Sequence, residues 1–129
     1  MKRPTIVVCA IITIDNKILV VQRNNTMTLP LKWEFPGGKI EPNETEEGCI
    51  TREIKEELNI EITLLKKLES SIYKYPTITI ELIPFLANYE KGTINLKEHI
   101  QYKLLKKEEL SSLDWAEADL PIVKELQQL

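Results

Sequence analysis

The chain has 129 residues, of which 43% are hydrophobic and 29% charged, and its 20 acidic and 17 basic side chains leave a net charge of −3. This is the composition of a single soluble globular domain spanning residues 1–129. It argues against a nucleic-acid polymer as partner, since a phosphate-backbone binder shows basic excess, and no apolar run reaches the ~18 residues that a membrane span needs.

Met1-Lys2-Arg3 ahead of an apolar run superficially mimics a signal peptide. Pro4 interrupts the junction, Asp15-Asn16 ends the run, and no small-residue cleavage site follows. Residues 4–14 are β-branched and almost continuously apolar, which predicts a strand buried on both faces. A turn at residues 15–17 leads to a paired strand at 18–22. Residues 24–32 form a polar loop, and 33–35 a short strand that enters the tight turn Pro36-Gly37-Gly38. A helix is predicted over 45–58 and a strand over 61–68. Residues 70–75 and 77–88 read as a hairpin pair broken at Pro76, and Pro84 predicts that the second strand is an edge or carries a bulge. A loop or short strand follows around Gly92, then a strand at 101–104 and a short helix from 107. A loop over 111–120 carries Asp114, Trp115 and Asp119, and a C-terminal amphipathic helix over 121–129 turns Ile122, Val123 and Leu126 inward. Cys9 and Cys49 lie in apolar surroundings without metal-ligand spacing, so both are expected in the core. A cytosolic location is the default. Mixed strands with two substantial helices predict an α/β fold, with one helical layer on each side of the sheet.

The most informative stretch is residues 38–60, GKIEPNETEEGCITREIKEELNI. Glu53, Glu56 and Glu57 are spaced i, i+3, i+4 and fall within one arc of roughly 100° on a helix. Carboxylates crowded on one face repel each other, and a hard divalent cation with its preference for oxygen ligands removes that repulsion. Ile50, Ile54 and Leu58 make a separate apolar stripe, so the helix can bury one side and hold metal on the other. Thr45 is the expected N-cap, with Glu46 and Glu47 in the first turn, and Asn59 stands where a left-handed residue would end the helix.

This pattern resembles the Nudix box, G-x5-E-x7-R-E-U-x-E-E-x-G-U, where U is aliphatic. Gly38, Glu44, Arg52, Glu53, Ile54, Glu56, Glu57 and Ile60 match it. Asn59 replaces the family's glycine, which implies a small stability cost and intact chemistry. The resemblance covers nearly the whole chain, including residues 20–23, 33–39 and 118–121, and is to the MutT branch of the family. It implies the Nudix fold, an α/β/α sandwich with a mixed β-sheet. It also implies hydrolysis of a nucleoside triphosphate to the monophosphate and pyrophosphate, in the manner of nucleotide-pool sanitising enzymes. The expected cofactor is Mg²⁺, with Mn²⁺ as the alternative.

Glu53, Glu56 and Glu57 are the expected metal ligands, with Glu53 the favoured general base and Glu56 and Arg52 completing the catalytic group. The family resemblance adds the backbone carbonyl of Gly38 and the side chain of Glu98 as ligands, and makes Arg52 the ion-pair partner that orients a glutamate. It gives Arg23 and Lys39 to the substrate phosphates, and Glu44 to hydrogen bonds that hold the loop. His99, the one histidine, shows no partner pattern and is expected to be structural.

The base is addressed by Glu34, Phe35 and Asp119. MutT-branch enzymes specific for 8-oxo-dGTP carry asparagine where Asp119 stands, and an amide both donates and accepts. Ionised aspartate only accepts, which suits an exocyclic amine such as cytosine N4. The stretches Glu98-His99 and Ala118-Asp119-Leu120-Pro121 also resemble the CTP-preferring members, so (d)CTP and modified pyrimidine nucleotides lead, with 8-oxo-dGTP next. Asp119 also suits the N-cap of the last helix. Trp33 beside Phe35 could stack on a base or pack in the core. The rival activities are cleavage of another nucleoside diphosphate derivative, such as ADP-ribose or a dinucleoside polyphosphate, and non-catalytic nucleotide binding. The expected assembly is a monomer or weak homodimer.

Overall fold

In a computed structural model that describes residues 3–129, β1 (Thr5–Ile14) is the organising strand. Met1 and Lys2, the charged start of the signal-peptide mimic, lie outside the described residues. One edge of β1 pairs in parallel with β7 (Thr79–Gly92) from Thr5 to Thr13. The other edge pairs antiparallel with β4 (Gly37–Lys39) near its start and with β2 (Lys17–Gln22) near its end. β3 (Trp33–Glu34) and β8 (Gln101–Leu105) extend the sheet from β2, and β5 (Ile60–Lys67) and β6 (Ser71–Lys74) extend it from β7. The result is a mixed eight-stranded sheet.

Alternation along β1 explains the layers. Val8, Ala10 and Ile12 face α1 (Glu46–Leu58) and pack with Ile50, Ile54 and Leu58. Cys9 and Ile11 face the opposite layer, where α2 (Leu120–Gln128) presents Ile122, Val123 and Leu126. All of these side chains are buried, each valine, leucine or isoleucine contributing roughly 1.5–3 kcal/mol relative to exposure. Full burial on both faces spans Val8–Ile12, where every residue is apolar, whereas Ile6 is exposed and Thr5, Val7, Thr13 and Ile14 are half-buried. Cys9 and Cys49 are free and buried, one in each layer.

The ends of α1 follow its sequence. Thr45 Oγ1 accepts from the Gly48 amide at 2.9 Å. Asn59 adopts φ 62°, ψ 28°, and its amide donates to the Lys55 carbonyl at 3.0 Å. Asparagine thus fills the left-handed position of the family's glycine, and its Nδ2 adds a bond to the Thr93 carbonyl at 3.3 Å.

Of the two alternatives for the Pro84 strand, the edge is corrected: β7 is an interior strand, with β1 on one side and β5 and β6 on the other. Irregularity is present, since its register against β5 shifts between Glu61 and Ile62 and again between Leu64 and Lys66. The Pro84 carbonyl accepts from the Leu68 amide, in the gap between the pairings of β5 and β6. A strand residue turns its N and O to the same neighbour, so the missing N–H also faces that gap and no ladder bond is lost. β7 also runs unbroken to Gly92, because Ile60–Ile62 pair with residues 89–92 where a loop or a separate short strand was expected.

Gly37 is where this arrangement tolerates least. A Cβ there would lie 1.9 Å from the Val8 carbonyl oxygen and 2.7 Å from Cys9 Cα, both backbone atoms that cannot yield. Gly37→Ala is expected to cost about 3 kcal/mol or more. Urea unfolding measures this directly, and a wild-type midpoint would show that β4 is not clamped against β1.

Candidate active site

With its apolar stripe held on the sheet, α1 turns its acidic edge toward β4. Glu53 and Glu57 reach into a cavity of about 750 Å³, which Gly38, Lys39 and Glu98 also line. Glu56, one turn on from Glu53, stands outside the cavity with its side chain 55% exposed. The approach of α1 to β4 depends on Gly38. A Cβ on that residue would sit 2.2 Å from the carboxyl carbon of Glu53.

Arg52 organises the carboxylates around it. Its Nε and Nη2 donate to the two oxygens of Glu44 at 2.6 and 2.9 Å, a bidentate pair of the strong kind. Its Nη1 donates to Glu53 at 3.3 Å and to both oxygens of Glu56 at 3.2 Å. Glu44 also accepts the Glu41 amide at 3.0 Å, which ties the approach loop to the helix. These bonds, with Arg52 foremost, hold the Glu44 carboxyl at a pKa of about 2 and raise that of Arg52. Glu53 and Glu57 shift the other way. Burial raises Glu53 most, with Arg52 opposing and Glu57 and Glu56 adding repulsion. Burial also raises Glu57 most, then the charge of Glu98, while His99 opposes.

The candidate ligand groups that line the cavity, two carboxylates of α1, the Gly38 backbone and Glu98, are all oxygen donors. Glu57 Oε2 is buried and has no hydrogen-bond partner. Two carboxylates with raised pKa and an orphaned oxygen fit a hard divalent cation. Among the described residues no three His, Cys, Asp or Glu side chains already converge on one point, and Glu53 and Glu56 are turned to Arg52 instead. The loop carrying Glu98 is anchored by the Lys97 amide, which donates to the Glu57 carbonyl at 3.2 Å, and by Asn24 Nδ2, which donates to the Glu98 carbonyl at 2.7 Å.

A second group of side chains on the cavity wall has a different character. Arg23, at the end of β2, donates to Glu34 at 3.0 Å through Nη1 and to the carbonyl and hydroxyl of Thr28 at 2.6 and 3.0 Å. The other oxygen of Glu34 lies 2.8 Å from His99 Nε2. Phe35 packs on Trp115 with ring centroids 4.8 Å apart and shows one side to the cavity, whereas Trp33 stays outside it in the core. Asp119 is 4% exposed, and its Oδ2 accepts the Phe35 amide at 3.0 Å. Asp119 occupies the N-cap position of α2, as expected, but its side chain makes no capping bond there: the carboxylate takes the amide of Phe35, between β3 and β4, instead. Burial, and next the nearby Glu34 charge, push the Asp119 carboxyl well above the usual carboxylate range, with the Phe35 bond and Arg23 opposing. A carboxyl held neutral can donate as well as accept, so the contrast with asparagine drawn from the sequence narrows.

Gly38, Glu53, Glu57, Glu98, Arg23, Lys39, Glu34, Phe35 and Asp119 therefore share one cavity, with Arg52 and Glu56 on its outer flank. The sequence reading missed His99, because its partner Glu34 is 65 positions away. It also missed the apolar wall from Tyr75, Ile78, Ile80 and Leu82, which looked like ordinary strand alternation.

A family model described as NUDIX domain matches residues 1–126. The CTP pyrophosphohydrolase of Escherichia coli K12 is 35% identical over 118 residues, covering 92% of this chain and 87% of that protein. The 8-oxo-dGTP diphosphatase of the same organism is 33% identical over 132 residues and covers both chains fully. The solution structure of MutT, a Nudix-family protein from methicillin-resistant Staphylococcus aureus 252, superposes with a TM-score of 0.80 at 41% identity, covering 99% of this chain and 98% of that one.

The Glu44–Arg52 pair predicts an acid-side pH dependence. A carboxylate whose pKa falls from 4.5 to about 2 on folding contributes stability that is complete above 4.5 and is lost as pH drops toward about 2. Glu44→Gln should therefore flatten the thermal-stability profile in that window and lower the melting temperature above it. Equal profiles for variant and wild type across the window would remove the pair from the stability of the loop.

Proposed function

We infer that this chain, which belongs to the Nudix hydrolase family, hydrolyses nucleoside triphosphates to a nucleoside monophosphate and pyrophosphate. The observation that carries this reading is one cavity of about 750 Å³ whose wall combines the α1 carboxylates Glu53 and Glu57 with Phe35 and the apolar side chains Ile78, Ile80 and Leu82. Divalent metal ions are general to the family, and the all-oxygen donor set favours Mg²⁺ over softer metals, with Mn²⁺ as its nearest substitute. Glu53, Glu56, Glu57, Glu98 and the Gly38 carbonyl are the groups that would hold the ion. When bound, a divalent ion supplies charge neutralisation and Lewis acidity to the diphosphate.

The chain's own residues divide the remaining work. Glu53 is the favoured general base: its raised pKa brings it nearer neutral pH, where proton abstraction from a water at its carboxylate is worth typically ~10²–10⁴-fold. Arg52 keeps that carboxylate oriented through Nη1 while Glu44 holds Arg52 in place. Lys39 and Arg23 supply positive charge along the cavity wall for the polyphosphate. Phe35 offers a ring to the base, and Asp119 a buried polar group beside it.

Base choice rests on Asp119. As a carboxylate it suits the cytosine amine, and as a neutral carboxyl it can serve oxidised guanine as asparagine would. Both (d)CTP with its modified pyrimidine analogues and 8-oxo-dGTP are therefore proposed substrates, in line with the names of the two Escherichia coli relatives.

The discriminating measurement is kcat/KM across normal, oxidised and methylated nucleoside triphosphates with Mg²⁺, with ADP-ribose and a dinucleoside polyphosphate included. A monophosphate plus pyrophosphate from a triphosphate is the expected product pair, and preferential turnover of ADP-ribose would overturn the substrate class. Glu57→Gln should lower kcat/KM more than ~100-fold. Because it removes a carboxylate that burial disfavours, its melting temperature should equal or exceed that of the wild type. Activity retained in that variant would take Glu57 out of the metal shell.

Asp119→Asn separates charge from hydrogen bonding. A group whose pKa rises on folding contributes stability at low pH that is lost as pH rises above its unfolded value of 3.8. The variant keeps an acceptor for the Phe35 amide and has no charge to bury, so at about pH 8 it should melt above the wild type, and the gap should close on acidification. A lower melting temperature at every pH would show that the Asp119 charge is satisfied in the fold.

A further inference from the structure

Three side chains from three segments meet on the wall of the cavity: Arg23 after β2, Glu34 in β3 and His99 in the loop before β8. Glu34 joins them, with Oε1 at 3.0 Å from Arg23 Nη1 and Oε2 at 2.8 Å from His99 Nε2. The His99 side chain is 6% exposed, and its Nδ1 is buried without a partner. The ring is not there for its own hydrogen bonding, since half of that is left unmade. Its one bond is to Glu34, and a carboxylate only accepts, so Nε2 is the donor and the tautomer follows.

We propose that His99 is a positioning residue for nucleotide binding, which holds the Glu34 carboxylate in one plane and through it fixes the Arg23 guanidinium on the cavity wall. The reason lies in the softness of a glutamate. Its terminal torsion is broad and roughly two-fold, so one contact at Oε1 does not set the plane of the carboxylate. A second contact, at the other oxygen and from a different direction, does. His99 can supply it because its own backbone is held on both sides. The Lys97 amide is bound to the Glu57 carbonyl at 3.2 Å and the Ile100 amide to the Gln22 carbonyl at 3.0 Å. The anchoring thus runs from α1 and β2, through the loop, to the ring. Arg23 completes the set, because its Nε and Nη2 are already committed to Thr28 and only Glu34 steadies the Nη1 side.

The inference rests on the nucleotide reading of this cavity, and its consequences fall on binding rather than on the chemical step. The test uses the complete, tag-free protein with CTP and 8-oxo-dGTP. His99→Ala should raise KM about tenfold, the worth of one charge-assisted hydrogen bond, with kcat within about threefold of wild type. His99→Gln, whose amide can donate to Glu34, should recover most of the loss. His99→Ala on top of Glu34→Gln should add nothing further, since both act through one contact. A fall in kcat at unchanged KM, or additive effects of the two substitutions, would overturn the proposal. So would a His99→Ala protein that melts lower but keeps its kinetic constants, which marks a purely structural ring.

A second readout does not need turnover. With one histidine in the chain, the imidazole ¹⁵N spectrum contains one ring. Glu34→Gln should move its Nε2 resonance, and His99→Ala should move the Arg23 Nε resonance. If both shifts appear and neither nucleotide is hydrolysed, the substrate reading fails and the positioning contact stands. If neither shift appears, the contact itself is wrong.

Discussion

The site depends on a close approach between two backbones. α1 can lie against β4 because Gly38 has no Cβ to strike the Glu53 carboxylate, and β4 can lie against β1 because Gly37 has none to strike Val8. The apolar stripe of α1 supplies the force for that approach, with Ile50, Ile54 and Leu58 fully buried on the sheet. A helix pinned by its apolar face has no freedom to swing its acidic edge away. Glu53 and Glu57 are therefore delivered to the cavity by hydrophobic packing several ångströms from where they act.

That delivery has an electrostatic cost, which is managed unevenly. Arg52 faces Glu44, Glu53 and Glu56, and its strongest bonds go to Glu44, which is itself fixed by the Glu41 amide. Glu57 receives no such partner, and one of its oxygens is buried and bare. A fold selected for stability alone would pair or remove such a group. A site that takes up a cation has reason to leave it unpaired, since the charge that completes the cluster arrives with the ligand.

Elsewhere on the cavity wall carboxylates are used differently. Glu34 spends both oxygens on neighbouring side chains and behaves as a bracket between Arg23 and His99. Asp119 is buried and bonded through one oxygen to a backbone amide. Tyr75 after β6, Ile78 before β7, and Ile80 and Leu82 within β7 add an apolar wall, so the cavity combines charged and apolar surface. A nucleotide combines the same two characters in its polyphosphate and its base.

How much of this is legible in the sequence depends on the range of the interaction. The helix and its caps at Thr45 and Asn59, the acidic spacing and the inward face of α2 are local, set by neighbours within one or two turns, and the chain order alone predicts them. The same holds for the doubly buried middle of β1, whose unbroken apolar run reports two covered faces. Pro84 misled because its effect depends on which neighbour its missing N–H faces, and that is a property of the sheet. Asp119 misled because a carboxylate beside a helix start has a local partner on paper, whereas folding offers it the Phe35 amide, 84 positions away. His99 was legible only as a lone histidine, since its bond to Glu34 exists only where the loop before β8 meets β3. The sequence by itself thus determined the family, the layers and the acidic face, because these rest on periodicity and nearest neighbours. The tertiary structure alone decided which carboxylates are bare, which are paired and where Asp119 points, because burial and hydrogen bonding across the sheet are set by contacts between segments that no spacing along the chain encodes.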